Sequence, residues 1–149
     1  MKSIDYRISD IFADPIGTDR FHSETLLRLP GHFLVFAPPD DAPQIREAPC
    51  LKNGYVTFGS FNALRKIGPG CVKLWATVLK AVPGSKLILK NEALSYVSVR
   101  ERLLGEFAAC GVEPGRVSCL RYEKAFSSHL DVYSQVDIAL DSFPYNGTT

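Results

Sequence analysis

The sequence predicts an α/β domain built on a parallel sheet. Three observations support this. Short apolar runs at residues 55–58, 86–89, 117–120 and 136–140 have the length of strands. Segments with helical spacing lie between them. Short apolar strands joined by helices imply a parallel sheet covered on both faces, here as half of a doubly wound domain.

The chain divides into three parts. Residues 1–36 form a first part. Tyr6 and Ile8 alternate with polar neighbours as in a strand, Asp14-Pro15-Ile16-Gly17 reads as a turn, and residues 23–29 read as a short helix stopped by Pro30-Gly31. Residues 33–36 read as a short apolar strand. Residues 37–53 hold Pro38, Pro39, Pro43 and Pro49, a density that predicts an extended linker. The main domain, residues 54–149, follows. After the strand at 55–58, Val72, Trp75, Leu79 and Val82 fall on one helical face, and Pro83-Gly84 stops that helix. A strand at 86–89 leads to a helix over 97–110, with Val99, Leu103, Phe107 and Cys110 on one face and Gly111 suited to its C′ position. Beyond the strand at 117–120, Ser127 or Ser128 can cap a short helix running to Gln135. The last strand, 136–140, runs into Asp141-Ser-Phe-Pro-Tyr-Asn-Gly-Thr-Thr149, a strand and turn without the helix that completes an anion cradle. This reads as a piece of something larger.

Composition excludes several classes. With 149 residues, net charge +1 and 46% apolar residues, the chain has no basic excess for nucleic acid and no acidic tail. No apolar run approaches the roughly 18–20 residues of a membrane span, and the N-terminus lacks a signal-peptide core. Cys50, Cys71, Cys110 and Cys119 form no C-x-x-C pair, so no zinc site is expected. Cys71, Cys110 and Cys119 sit in apolar patterns as reduced core thiols, in keeping with a cytoplasmic location.

In open α/β sheets ligands sit beyond the carboxyl ends of the strands, and three segments qualify. Gly59 to Lys66 offers Asn62 and the cations Arg65 and Lys66 after a strand end; Lys66 is a suitable point charge for a phosphate. Spacing alone leaves this open against solvated loop charges. His129 lies in the first turn of a predicted helix, either as a partner of ribose, base or phosphate or as a partly exposed helical histidine. Asn146, Gly147, Thr148 and Thr149 combine close backbone approach with hydroxyl and amide donors, or form an ordinary Asn-Gly turn. His22 and His32 read as structural or exposed. No Ser-His-Asp arrangement, paired catalytic carboxylates or complete glycine fingerprint is present.

These segments, in this order, resemble the catalytic region of the protein O-GlcNAc transferase family, which includes SPINDLY-like proteins. Asp5 to Asp10 with Ala13-Asp14-Pro15, then Phe21 to Pro30 and Pro38-Pro39, resemble the end of its first lobe. Thr57 to Ile67 resembles the opening of its second lobe, followed by Leu74-Trp75-Ala76 and Val82 to Ser85. Asp137 to Asp141 with Phe143 to Thr149 matches its nucleotide-pocket strand and turn. The resemblance covers nearly the whole chain. It implies most of the second, Rossmann-like lobe of a GT-B glycosyltransferase preceded by the tail of the first lobe, with tetratricopeptide repeats further upstream. It also implies inverting transfer of N-acetylglucosamine from UDP-GlcNAc to protein Ser or Thr hydroxyls, without metal, nucleic acid or membrane. Carried over by position, Lys66 contacts the diphosphate and stabilises the leaving group, His129 lies at the uracil and ribose side, Thr148 and Thr149 donate to the phosphates, and Asn62 sits at the same strand end. Ala63, Phe126 and Val132 replace polar or cationic nucleotide contacts of animal members, so the base side is less polar than theirs. Two alternatives stay open: GDP-fucose as donor, as in plant SPINDLY relatives, or a non-catalytic nucleotide-binding or interaction remnant. The 149-residue chain alone is expected to show no transfer.

Overall fold

In the computed structural model, which describes residues 4–37, 40, 42–121 and 126–147, the chain forms two compact units that divide between Pro39 and Asp40. In the first unit, β1 (Tyr6–Ser9) pairs parallel with β2 (Thr25–Arg28), Tyr6 opposite Thr25 and Ser9 opposite Arg28. The helix expected over 23–29 is thus a strand. Only Leu26 of Thr25–Arg28 is buried, a period of two that serves one face of a sheet. Thr25 N donates to Asp5 O and Leu29 N to Ser9 O, extending the ladder at both ends. Pairing with β1 outweighs the helical propensity of the two leucines. Residues 33–36 form no strand, and Phe33 N instead donates to Asp10 Oδ2 at 3.0 Å.

Two buried aspartates organise the turns of this unit. Asp10 Oδ1 accepts from Phe12 N and Ala13 N at 2.8 Å each. Asp14 accepts from Ser9 Oγ and lies 3.1 Å from His22 Nε2. His22 is therefore structural, whereas His32 is exposed and stacks on Phe12.

The second unit begins in irregular chain, but the expected extended linker closes with a helix, α1 (Pro49–Asn53). Pro49 at its first position has the φ a helix start needs, and Cys50 N donates to Asp137 Oδ1 at 2.8 Å. The α/β core follows: β3 (Thr57–Ser60), α2 (Pro69–Ala81), β4 (Lys86–Lys90), α3 (Val97–Ala109), β5 (Val117–Leu120), α4 (Phe126–Asp131) and β6 (Ile138–Ala139). The four strands are parallel in the order β5-β4-β3-β6. Phe58, Leu87, Leu89 and Val117 pack with Trp75, Leu79, Leu103 and Phe107, burying the predicted apolar faces of α2 and α3.

Several boundaries differ from those expected. β3 starts two residues later and runs through Ser60, because Asp137 Oδ2 accepts Thr57 N at the strand's start. Gly111 does terminate α3: its φ is +79°, its N–H donates to Ala108 O, and Val112 N donates to Phe107 O, a Schellman ending. Ser127 and Ser128 lie inside α4 rather than capping it, and the helix continues as a 3-10 turn, Val132–Gln135. The last strand is only two residues long, with Ile138 48% exposed, since β6 pairs with β3 alone. All four cysteines are free; Cys71 is buried, while Cys110 and Cys119 are half-buried against the core.

Candidate functional site

The strand order defines where a site can form. From β3 the chain steps through β4 to β5 on one side, then returns to β6 on the other side of β3. The exits of β3 and β6 therefore lie side by side where the strand order reverses, the topological switch point where doubly wound folds bind ligands. A cleft of about 310 Å³ lies there, lined by Gly59 to Asn62 from the β3 exit, Ala139 to Asp141 and Gly147 from the β6 exit, and His129 and Tyr133 from above. A larger open groove of about 680 Å³ is lined by Thr57, Ile88, Ser118 and Leu120 with residues of α1, and does not include the exits of β3 and β6.

Most of the expected residues meet in or beside the cleft. Lys66 closes the 3-10 turn Leu64–Lys66, and its Nζ donates to Asn146 O at 2.8 Å while lying 4.6 Å from the centre of the Tyr145 ring. Asn62 Nδ2 donates to Asp141 Oδ1 at 3.0 Å, and Gly147 N donates to the same oxygen at 2.8 Å. A Cβ at Gly147 would stand 2.8 Å from Asn62 Oδ1 and 3.3 Å from Asp141 Oδ1, so the Asn62 side chain would have to shift to admit it. Ser142 Oγ donates to Tyr145 O at 2.7 Å and closes the turn, which contains a cis Phe143–Pro144 peptide. Thr148 and Thr149 lie outside the described residues, as do Pro38, Pro39 and Asp41 of the linker and the side chain of Phe126.

The base side is aromatic. Phe61 packs edge-on to Tyr133 at 4.5 Å and to His129 at 6.0 Å between ring centres. Burial, and then the positive charge of Lys90, hold the His129 imidazole below its ordinary pKa, so it is neutral at pH 7. Burial pushes the Tyr133 phenol up. Asp141 is held below the usual carboxylate range, first by the Gly147 amide, against a smaller opposing effect of burial, with Ser142 N, Asn62 and Lys66 adding to the depression. Val132 is buried, so its position presents no charge to the cleft.

Sequence reasoning passed over Asp141, Tyr133 and Lys90. Lys90 closes β4 and is 2% exposed, which the alternation of β4 does not announce. Asp141 stands in the sequence as the last residue of the strand segment that resembles the family's nucleotide pocket, and its own role acquires meaning once β6 is known to lie beside β3. Among the described residues, no group of three or more His, Cys, Asp or Glu side chains is disposed to hold a metal ion.

A parallel α/β lobe with a cleft at its switch point, flanked by Lys66, has the architecture of a Rossmann-like lobe. Relatives narrow the class. Over all 149 residues the chain is 47% identical to a probable UDP-N-acetylglucosamine–peptide N-acetylglucosaminyltransferase SPINDLY of Solanum lycopersicum and 46% identical to its Petunia hybrida counterpart, covering 16% of each. It is 28% identical over 156 residues to the probable transferase SEC of Arabidopsis thaliana, covering 98% of this chain and 15% of SEC. A solved mutant of the Thermobaculum terrenum O-GlcNAc transferase superposes with TM-score 0.90 at 34% identity, over 99% of this chain and 27% of that one. No protein-family model matches the chain. Over its whole length the chain is O-GlcNAc transferase/SPINDLY-like, and it spans 16% of the length of the SPINDLY relatives it matches. No helix among the described residues is long and apolar enough to cross a membrane.

Proposed function

We propose that this chain carries the donor side of a protein O-glycosyltransferase site, with UDP-N-acetylglucosamine as donor and a protein Ser or Thr hydroxyl as acceptor. The observation that carries the reading is the cleft at the β3–β6 switch point with Lys66 at its rim. In an inverting transfer the acceptor oxygen bonds to the anomeric carbon as the bond to the diphosphate breaks, and negative charge develops on the departing UDP. Lys66 carries a mobile point charge, now resting on Asn146 O, that can move to the diphosphate and offset that charge. Asn62 and the Asn146–Gly147 turn, with Thr148 and Thr149 beyond it in sequence, supply polar groups for the phosphates. Neutral His129 supplies a hydrogen bond for ribose or base. No metal takes part in this reading, and tetratricopeptide repeats upstream in the intact protein belong to it.

Because the chain spans a small share of its relatives, the test is one of binding. UDP is titrated calorimetrically into the chain and its Lys66→Ala variant, and the loss of a charge-assisted contact to phosphate is expected to weaken binding about tenfold. Equal affinity in the two proteins would sink the role of Lys66. A second reading, GDP-fucose as donor, is left room by Ala63 and the buried Val132, which carry no polar side chain. Competition between UDP and GDP decides between them, and binding of neither leaves the non-catalytic interaction module.

A further inference from the structure

A single carboxylate oxygen joins the two walls of the cleft. Asp141 Oδ1 accepts from the Asn62 side-chain amide at 3.0 Å, from Ser142 N at 2.8 Å and from Gly147 N at 2.8 Å. Asn62 belongs to the exit of β3, whereas Ser142 and Gly147 belong to the turn leaving β6. These segments are 79 and 85 residues apart in sequence for the pairs Asn62–Asp141 and, counting from 62 to 147, Asn62–Gly147. Two-residue β6 contributes little ladder of its own to hold that turn. The turn nonetheless has a defined path, because Ser142 is buried, its Oγ holds Tyr145 O, and Lys66 holds the neighbouring Asn146 carbonyl.

We propose that Asp141 is the positioning residue of this cleft. It fixes the Asn62 amide and the Gly147 backbone in one arrangement before a nucleoside diphosphate arrives. The inference rests on the donor-site reading for the ligand, but not for the geometry. A carboxylate can sit beside a phosphate site here because its charge is engaged by three donors on one oxygen and lies near Lys66. Asp141 acts through its partners: preorganised donors bind without first being ordered, which is the advantage of a fixed wall over a mobile turn. The close approach of Gly147 to the Asn62 and Asp141 side chains follows from the same packing.

The experiment uses the whole chain and two readouts. The first is exchange of the Gly147 amide, followed by NMR without ligand. The second is UDP and GDP affinity by calorimetry. In D141A the Gly147 amide is expected to exchange about tenfold faster and nucleoside diphosphate affinity to fall about tenfold, the scale of losing hydrogen bonds to a charged group. D141N retains an acceptor oxygen, so it is expected to restore most of the protection and affinity, a rescue that a general loss of packing would not give. In the wild-type chain the protection is expected to be present at neutral pH and to fall as acid protonates Asp141, whose pKa lies below the ordinary carboxylate value, while D141N stays flat over that range. If D141A does not fold, D141N and the acid titration still decide the matter. Unchanged Gly147 protection, taken relative to the intrinsic exchange rate at each pH, in D141A or in wild type as Asp141 protonates, overturns the proposal. Binding of neither nucleotide by a wild-type chain whose Gly147 is protected through Asp141 sinks the donor-site reading and leaves the positioning role standing.

Discussion

His129 is the residue at which charge and position are most closely tied. Burial and Lys90 both disfavour its protonated form, so its folded-state pKa lies below the ordinary 6.5. The sign of the linkage follows. Below pH 6.5 the unfolded chain takes up a proton that the folded chain resists, so stability falls as acid is added through that range. His129→Gln is expected to flatten this limb, as followed by urea midpoints between about pH 7 and pH 5. An unchanged slope in the variant would mean that the imidazole titrates alike in the folded and unfolded chains. Neutrality matters to function because a neutral imidazole has one donor and one acceptor nitrogen, suited to a base or ribose edge, whereas an imidazolium would pair with phosphate.

Gly59 shows how an element depends on one missing atom. A Cβ at this central position of β3 would stand 2.5 Å and 2.9 Å from the two methyls of Val136, the residue leading into β6. Val136 is β-branched and stiff, so it cannot swing clear. Gly59→Ala is expected to destabilise the protein by about 1–3 kcal/mol, with Val136→Ala recovering part of the loss in a double-mutant cycle read by urea unfolding. Equal losses with and without Val136 would place the strain elsewhere. Helix α2 depends on a distant cation in a similar way. Arg116, just before β5, donates to Leu79 O, Val82 O, Ser85 O and Ser85 Oγ at 2.6–3.0 Å, holding the carbonyls at the α2 C-terminus and the turn into β4. Arg116→Ala is expected to cost about 2 kcal/mol, and Arg116→Lys to restore less than half, because an ammonium cannot reproduce the planar fork. Full recovery by lysine would show that charge, not geometry, is what the helix end requires. Neither role could be assigned from the sequence, where Gly59 reads as the start of a loop and nothing beside Arg116 marks its partners.

For the molecule as a whole, one core holds the α/β unit together. Trp75 is 1% exposed and lies among Phe58, Leu79, Leu87, Leu103 and Phe107, so its loss reaches both helices and the sheet. Trp75→Ala is expected to cost about 3–5 kcal/mol, enough to leave a unit of this size largely unfolded at 37 °C, as monitored by far-UV circular dichroism. A loss below about 1 kcal/mol would mean that the core collapses around the gap. By itself the sequence determined the α/β class, the helices α2 and α3 with their buried faces, the strand at 117–120 and the ordered set of motifs that marks the family. These rest on periodicity and local chain chemistry, which are written in neighbouring residues. Tertiary structure alone decided that residues 25–28 pair as a strand, since short apolar runs satisfy either period until a partner strand exists. It also decided that β6 returns to the far side of β3, a choice made by long-range pairing of two residues. That return brings Asn62, Lys66, Asp141 and Gly147 together, because hydrogen bonds across some 80 residues of chain depend on where the strands lie and not on what stands beside each residue in sequence.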